Sequence, residues 1–216
     1  MSQLIDISPP LRPGIPVWPG DTAYDEARAW AIEPGCPVNV SKLTLSTHTG
    51  AHADAPFHYD AEGVPVGGLD LERYVGPCFV AHAIAPGARV RLEQVRRQLD
   101  AAHRARPETL VRVLFRTYEA APKEEWDSDF AAMSPELVDH LAGLGCRLIG
   151  IDTPSMDPEP SKALEAHNAI RRHGMGILEG LVLDDVAVGV YELIALPLKL
   201  VNLDAAPVRA VLRELP

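Results

Sequence analysis

The sequence predicts a single α/β domain built on a mixed β-sheet. Three observations support this fold class: short apolar or alternating segments typical of strands, segments of helical periodicity between them, and no composition break or internal repeat along the 216 residues. A chain of this length forms one large domain, or at most two small ones, and it can bury a substantial core. We therefore expect one domain over residues 1–216, with a mixed sheet rather than a purely parallel one.

Strands are predicted where apolar residues alternate with polar ones or form short continuous runs. The first, at residues 4–7, precedes a proline-rich loop over residues 9–19 that contains Trp18. Residues 38–45 alternate and lead into a histidine-rich segment, and residues 59–68, rich in Gly, Asp and Pro, are predicted to form a loop. Further strands are predicted at residues 78–84, at 111–117, at 147–152, within 177–190 (one or two strands) and at 195–203.

Three helices are predicted between these strands. Residues 89–105 place Leu and Val at helical spacing with many arginines on the other side, as in a solvated helix. Ser134 and Pro135 provide an N-cap and a proline at the first helical position. A third helix is predicted over residues 160–173, and a glycine at position 174 ends it.

Charge and cysteine content narrow the classes of function. The net charge of −10 argues against nucleic acid as a general partner, since phosphate binding needs a basic surface. Cys36, Cys78 and Cys146 are odd in number and far apart, which favours a reducing compartment over a disulfide framework. The sequence shows neither a signal peptide nor a membrane-spanning stretch, so we expect a soluble, cytoplasmic protein without a membrane partner.

The most informative segment is residues 46–58, which contains three histidines and an aspartate at even positions. In an extended strand every second side chain points to the same face, so His48, His52 and Asp54 would share one face, with His58 just beyond. Any one of these histidines alone would be typical of an ordinary polar residue on a half-exposed strand. Together, two imidazoles and a carboxylate would fill three positions of a zinc ion and leave a fourth for water. The pattern therefore predicts a metal site, and such ligands also suit Mn²⁺ or Fe²⁺.

Two later residues are candidates for the same site. Glu179 is a carboxylate inside an apolar, strand-like run, and glutamate is rarely buried unless it is paired or bound to metal. His167 lies on the predicted third helix, where a lone histidine is more often a surface residue. On the residues alone, Glu179 is the stronger candidate and the role of His167 stays open.

These residues also carry a resemblance to a known family. Residues 48–58, HTGAHADAPFH, resemble the H-x-G-x-H-x-D-x-P-x-H signature of the metal-dependent cyclase family. Many members have threonine where this chain has Ala51, and the alanine form is most similar to the bacterial kynurenine formamidase (arylformamidase) branch. The similarity extends to residues 6–8, 16–21, 149–155 and 177–181.

The resemblance implies a fold and a metal centre. The fold would be a mixed β-sheet with a barrel-like core surrounded by helices, of the swivelling β/β/α type, in a homodimer. Each subunit would bind two Zn²⁺. His48, His52 and Asp54 would hold the first ion, Asp54 would bridge to a second that His167 also holds, and Glu179 would bridge both.

The resemblance also implies an activity. The reaction would be hydrolysis of N-formyl-L-kynurenine to L-kynurenine and formate, a step of tryptophan degradation through the kynurenine pathway, with a zinc-activated hydroxide as nucleophile. His58 would be the acid/base group, and Trp18 would line the pocket of this small-molecule substrate. Two alternatives stay open: a cyclase-family hydrolase of another amide or cyclic amide such as isatin, and a metal-binding protein without catalysis.

Overall fold

Short strands and three α-helices make up the regular structure of residues 3–215, the part of the chain that this computed structural model describes. The strands are β1 Leu4–Asp6, β2 Asp25–Trp30, β3 Val40–Thr44, β4 His52–Asp54, β5 Val75–His82, β6 Arg89–Val90, β7 Arg112–Arg116, β8 Ala132–Met133, β9 Leu148–Ile151, β10 Gly176–Leu178, β11 Gly189–Ile194, β12 Ala205–Pro207 and β13 Val211–Glu214. The helices are α1 Leu92–Ala105, α2 Pro135–Gly143 and α3 Glu165–Arg172. None of the helices within these residues has the length and apolar composition that a bilayer crossing requires.

Seven of the strands form the central sheet, in the order β1-β13-β11-β5-β7-β9-β10. Pairing is antiparallel from β1 to β5 and parallel from β5 to β10, so the sheet is mixed. It curls into a half-barrel within one α/β domain. The fold class predicted from the sequence is therefore confirmed.

The hydrophobic core lies on both faces of this sheet. Odd-numbered residues such as Phe79 and Phe115 pack with buried side chains of the three helices, including Leu99. Even-numbered residues such as Val80 and Leu114 pack on the opposite face, where they meet the segment that contains β4. Because both faces of the sheet are covered, the sequences of these strands are continuous apolar runs. The histidine-rich segment therefore packs against this second face of the sheet.

Several predicted boundaries are wrong. Residues 195–203 form no strand, because Pro197 has no N–H to donate and the segment makes only isolated backbone hydrogen bonds, such as those that the Leu200 and Leu203 carbonyls accept. Strand β2 was not predicted from the sequence, because all of its residues are exposed and they show no alternation of buried and exposed side chains. The first helix begins at Leu92 because the residues before it pair with β8, and the third begins only at Glu165. Ser134 caps α2 as predicted, since its hydroxyl accepts a hydrogen bond from the Leu137 N–H at 3.2 Å.

Candidate metal centre

Backbone pairing places His52 and Glu179 side by side. The His52 N–H donates to the Glu179 carbonyl at 3.1 Å, and the Glu179 N–H donates to the His52 carbonyl at 3.0 Å. This pair of bonds joins β4 to the residue that follows β10. Gly180 permits the approach, because its φ is +64° and a Cβ at that position would clash with the carbonyl oxygen of Gly50.

Histidine and carboxylate side chains from three separate parts of the chain converge at this junction. His52 Nε2 lies 3.4 Å from Asp54 Oδ1 and 3.3 Å from Glu179 Oε2. On the other side, His167 Nε2 lies 3.4 Å from Asp54 Oδ2 and 3.5 Å from Glu179 Oε1. His48 Nδ1 is 3.1 Å from Asp54 Oδ1. Each carboxylate thus turns one oxygen toward His52 and the other toward His167.

The unsatisfied atoms of this cluster fit bound cations. His52 Nε2, His167 Nε2 and both Asp54 carboxylate oxygens are buried, and none has a hydrogen-bond partner. Buried polar atoms are rarely left in this state unless an ion or water satisfies them. Ligands about 2.1 Å from a tetrahedral zinc lie about 3.4 Å from one another, which agrees with the 3.3–3.5 Å separations between the His52 or His167 nitrogens and the carboxylate oxygens.

Burial and mutual contact set the protonation of the cluster. His52, Asp54, His167 and Glu179 are each only 2% exposed. Burial lowers the pKa of His52, but contacts with Asp54 and Glu179 outweigh it and raise that pKa to about 10. Burial raises the pKa of Asp54, but the surrounding imidazoles hold it well below its usual value. Without a cation the imidazoles therefore carry protons, which a divalent ion would replace.

Outer contacts orient the imidazoles. The His167 Nδ1–H donates to Asp157 Oδ2 at 2.8 Å, and Asp157 also accepts the backbone N–H groups of Ala166 and His167 at 3.0 Å. His52 Nδ1 lies 2.9 Å from the Gly50 carbonyl, which only accepts. Both histidines therefore carry a proton on Nδ1 and direct Nε2 at the carboxylates, the usual arrangement of metal-bound histidines.

A cavity of about 670 Å³ lies beside the cluster. Trp18 is one of the residues that line it, and its role in substrate binding stays a prediction. The Trp18 ring meets Trp126 edge-on at 5.4 Å between centroids, and Trp126 Nε1 donates to Glu159 Oε2 at 2.6 Å. Phe130 lies 6.2 Å from both tryptophan rings. The cavity thus has an aromatic wall on one side and the His/carboxylate cluster on another.

His58 lies at the boundary between cluster and cavity. Its side chain is 35% exposed, in contrast to the buried residues behind it, and it lines the cavity. Its ring is 4.3 Å from that of His48, between centroids. Ligand atoms of His48, Asp54 and His58 lie within 4.8 Å of one another, as do those of His52, Asp54 and Glu179. His58 is thus within reach of both the cluster and a molecule in the cavity.

The predicted extended strand with His48, His52 and Asp54 on one face is only partly right. Only His52 and Asp54 lie on a common strand. His48 lies in a turn that the Thr49 N–H closes onto the Ser46 carbonyl at 3.1 Å. His58 ends a 3₁₀ turn over Pro56–His58. The side chains converge because these turns fold back over β4, and a φ of +68° at the glycine in position 50 breaks the extended course.

Three residues of the site were missed by sequence reasoning. Asp157 and Asp204 contact the histidines, and Trp126 lines the cavity beside Trp18. Asp157 ends a short, mostly polar segment over residues 152–157 that directly follows β9. A polar segment in this place was the signal in the sequence that could have indicated a site residue. Asp204 follows the apolar stretch that was wrongly predicted as a strand.

Fold and site together define an α/β protein with a curled mixed sheet and a buried centre of histidines and carboxylates. Residues 5–158 match the model of the Cyclase family, which is more than half of the chain. The chain belongs to this family.

Solved structures of similar proteins cover almost the whole chain. One, described as a potential metal-dependent hydrolase with cyclase activity, is 26% identical with a TM-score of 0.81 and covers 100% of both chains. A predicted metal-dependent hydrolase from Bacillus stearothermophilus is 26% identical with a TM-score of 0.76, over 99% of this chain and 98% of the other. Isatin hydrolase A from Labrenzia aggregata, bound to benzyl benzoate, shares the fold at 23% identity with a TM-score of 0.80, over 98% and 93%.

Proposed function

We propose that this protein is a metal-dependent amide hydrolase that converts N-formyl-L-kynurenine to L-kynurenine and formate. The observation that carries the proposal is a buried His/carboxylate cluster that borders a cavity with aromatic walls, with His58 between the two. A closed structural metal site would need neither a cavity nor a half-exposed histidine beside its ligands. Catalysis is therefore favoured over metal binding alone.

Two divalent ions, which we take to be Zn²⁺, fit the arrangement of the donor atoms. His48 and His52 would hold the first ion, and His167 the second. Asp54 and Glu179 would contribute to holding both, because each turns one oxygen toward His52 and the other toward His167. When bound, such ions lower the pKa of water and polarise a carbonyl group.

The chain's own residues would position the substrate and move the proton. Trp18 and Trp126 would hold an aryl ring, leaving the formyl group toward the cluster. Water adds to the formyl carbon and the C–N bond breaks. His58 would accept a proton from the added water and give it to the departing aryl nitrogen, since an imidazole can act both as a base and as an acid.

The main alternative is a cyclic amide such as isatin. The similar fold of isatin hydrolase A favours it as a second candidate, because both reactions open an aryl amide bond. The same cluster would serve either substrate, so the aromatic wall and the rim of the cavity decide between them.

The test is a comparison of kcat/KM for N-formyl-L-kynurenine and for isatin with the same zinc-loaded preparation. We expect N-formyl-L-kynurenine to be preferred by at least about tenfold, which is about 1.4 kcal/mol of transition-state binding. A preference for isatin would replace the formamidase proposal with a cyclic amide hydrolase. Activity on neither, in protein that holds metal, would overturn both.

We also propose that the protein is a cytoplasmic homodimer. Cys36, Cys78 and Cys146 are all free, which supports a reducing compartment. The hairpin formed by β2 and β3 supports a second copy as partner, since every residue of both strands is exposed. A two-stranded hairpin of this kind is marginally stable in water on its own.

A further inference from the structure

One carboxylate outside the proposed ligand set contacts both His48 and His58. Asp204 Oδ2 lies 2.9 Å from His48 Nε2 and 3.5 Å from His58 Nδ1. Its other oxygen accepts a hydrogen bond from the Thr47 hydroxyl at 3.1 Å. Asp204 thus joins a proposed metal ligand to the proposed acid/base residue.

Strand pairing fixes the position of this carboxylate. Asp204 immediately precedes β12, in which Ala205 pairs with Asp54 of β4. The Ala55 N–H also donates to the Asp204 carbonyl at 2.9 Å. The backbone of Asp204 is therefore tied to the strand that carries two of the proposed ligands, and its side chain is held at a defined distance from the cluster.

The contact with His48 determines which ring nitrogen is free. An ionised carboxylate only accepts hydrogen bonds, so the 2.9 Å contact requires a proton on His48 Nε2. In a neutral imidazole the lone pair then lies on Nδ1. His48 Nδ1 is the atom that faces Asp54, at 3.1 Å from Oδ1. Asp204 therefore directs the available lone pair of His48 into the cluster.

The same carboxylate orients His58. The rings of His48 and His58 lie 4.3 Å apart and share Asp204 Oδ2 as their common neighbour. His58 Nδ1 lies 3.5 Å from Asp204 Oδ2, so Nε2 would be the nitrogen of His58 left for a molecule in the cavity that this residue lines. A shared carboxylate also keeps the two rings in a fixed relation, which proton transfer to a bound substrate requires.

We infer that Asp204 is a positioning residue that holds the His48 proton on Nε2 and orients His58 toward the substrate. The inference rests on the proposed function, because it assigns Asp204 a task in metal binding and in proton transfer.

The test compares wild type with Asp204→Ala and Asp204→Asn, using zinc as the probe. Nitrogen-15 NMR of histidine-labelled, zinc-loaded protein reports the tautomer of His48, and competition with a chromophoric chelator reports zinc affinity. We expect Asp204→Ala to lose the defined Nε2–H signal and to bind zinc about 10–100-fold more weakly. We expect kcat to fall by a similar factor, with KM within about twofold of wild type. Asp204→Asn keeps an oxygen that accepts a hydrogen bond, so it should fall between the two.

Asp185→Ala is the matched control, since Asp185 is an exposed aspartate outside the cavity. It should leave the tautomer, the zinc affinity and kcat unchanged. If Asp204→Ala keeps the His48 signal, the zinc affinity and kcat of wild type, the inference is wrong while the proposed function stands. If the wild type itself binds no zinc, both are overturned. Thermal unfolding of each variant shows whether it is folded, and Asp204→Asn provides the comparison if the alanine variant is not.

Discussion

At the scale of single residues, the centre depends on charged groups that are buried together. His52, Asp54, His167 and Glu179 are each 2% exposed, and burial of one such charge alone would be strongly unfavourable. Their contacts compensate in part, because imidazole and carboxylate groups alternate around the site. The atoms that still lack partners are those that face one another across the site. Bound cations would satisfy these atoms.

The role of His58 is tested by its removal. His58→Ala should retain the metal of wild type, because its side chain is half-exposed and lies beyond the buried ligands. Its kcat should fall by a factor of about 10²–10⁴, which is the usual contribution of a positioned acid/base group. Metal analysis together with steady-state kinetics measures both. The control is His173→Ala, since His173 is partnered with Asp139 away from the cavity. Loss of metal from His58→Ala would make His58 a ligand instead.

Protonation of His52 gives a prediction for the metal-free protein. Its pKa of about 10 means that the ring stays charged at pH 8, where an ordinary histidine is neutral. Histidine NMR of chelator-treated protein across pH 6–10 measures this titration, and added zinc should displace the proton at pH 8. Because the pKa is raised on folding, the charged ring contributes stability fully below about pH 6.5, and the contribution is lost as pH rises through about 10. A midpoint near 6.5 would contradict this account.

The sequence predicted residues that the structure does bring together, but it predicted their geometry only in part. The spacing of His48, His52 and Asp54 indicated a metal site because imidazoles and a carboxylate are ligands that zinc takes in proteins, and the identity of the metal stays a prediction. Asp157 and Asp204 were not predicted, because a carboxylate that supports a histidine can come from any part of the chain. Their proximity depends on the pairing of distant strands, which a single sequence does not reveal.

At the scale of elements, the centre depends on the contact between the turn before β4 and the end of β10. Gly174 and Gly180 have nearly the same φ, +61° and +64°, but only a Cβ at position 180 would meet another part of the chain. Gly174→Ala should therefore cost only the backbone strain, about 1–2 kcal/mol. Gly180→Ala should cost more, and it should also reduce metal content, since the clash pushes Glu179 away from His52.

Denaturant unfolding and metal analysis of the two glycine variants measure the difference. The pair is matched in backbone conformation, so the excess effect at position 180 isolates the close approach to Gly50. Equal stability and equal metal content in both variants would show that β4 and β10 tolerate separation.

Two of the elements that the sequence mispredicted have no burial pattern. The segment over residues 195–203 is apolar, yet Leu196, Leu198 and Val201 are exposed and form no strand. Strand β2 pairs with β3 although neither face is buried within this chain. Periodicity reports burial, so it fails where apolar residues are exposed and where strands project from the core.

At the scale of the whole molecule, these two exposed regions suggest how copies would associate. The hairpin of β2 and β3 carries Trp30 and Leu43, 60% and 59% exposed, and residues 196–203 form a second exposed apolar strip. In a twofold dimer the interface would contain two hairpins and two apolar strips, because each copy contributes one of each. Trp30→Ser with Leu43→Ser should therefore convert a dimer to a monomer.

Light scattering coupled to size-exclusion chromatography measures this change at micromolar concentration. Val188→Ser is the control, because Val188 is an exposed apolar residue outside both regions. A wild-type monomer, or a dimer that survives the double substitution, would contradict the proposed interface.

We propose above all that the buried cluster holds metal ions and uses them to hydrolyse an aryl formamide. The most direct test follows the absorbance change on hydrolysis of N-formyl-L-kynurenine by the purified protein as isolated, after removal of metal by a chelator, and after zinc is restored. We expect turnover that chelation abolishes and zinc recovers. Turnover that persists in protein shown to be free of metal would contradict the claim.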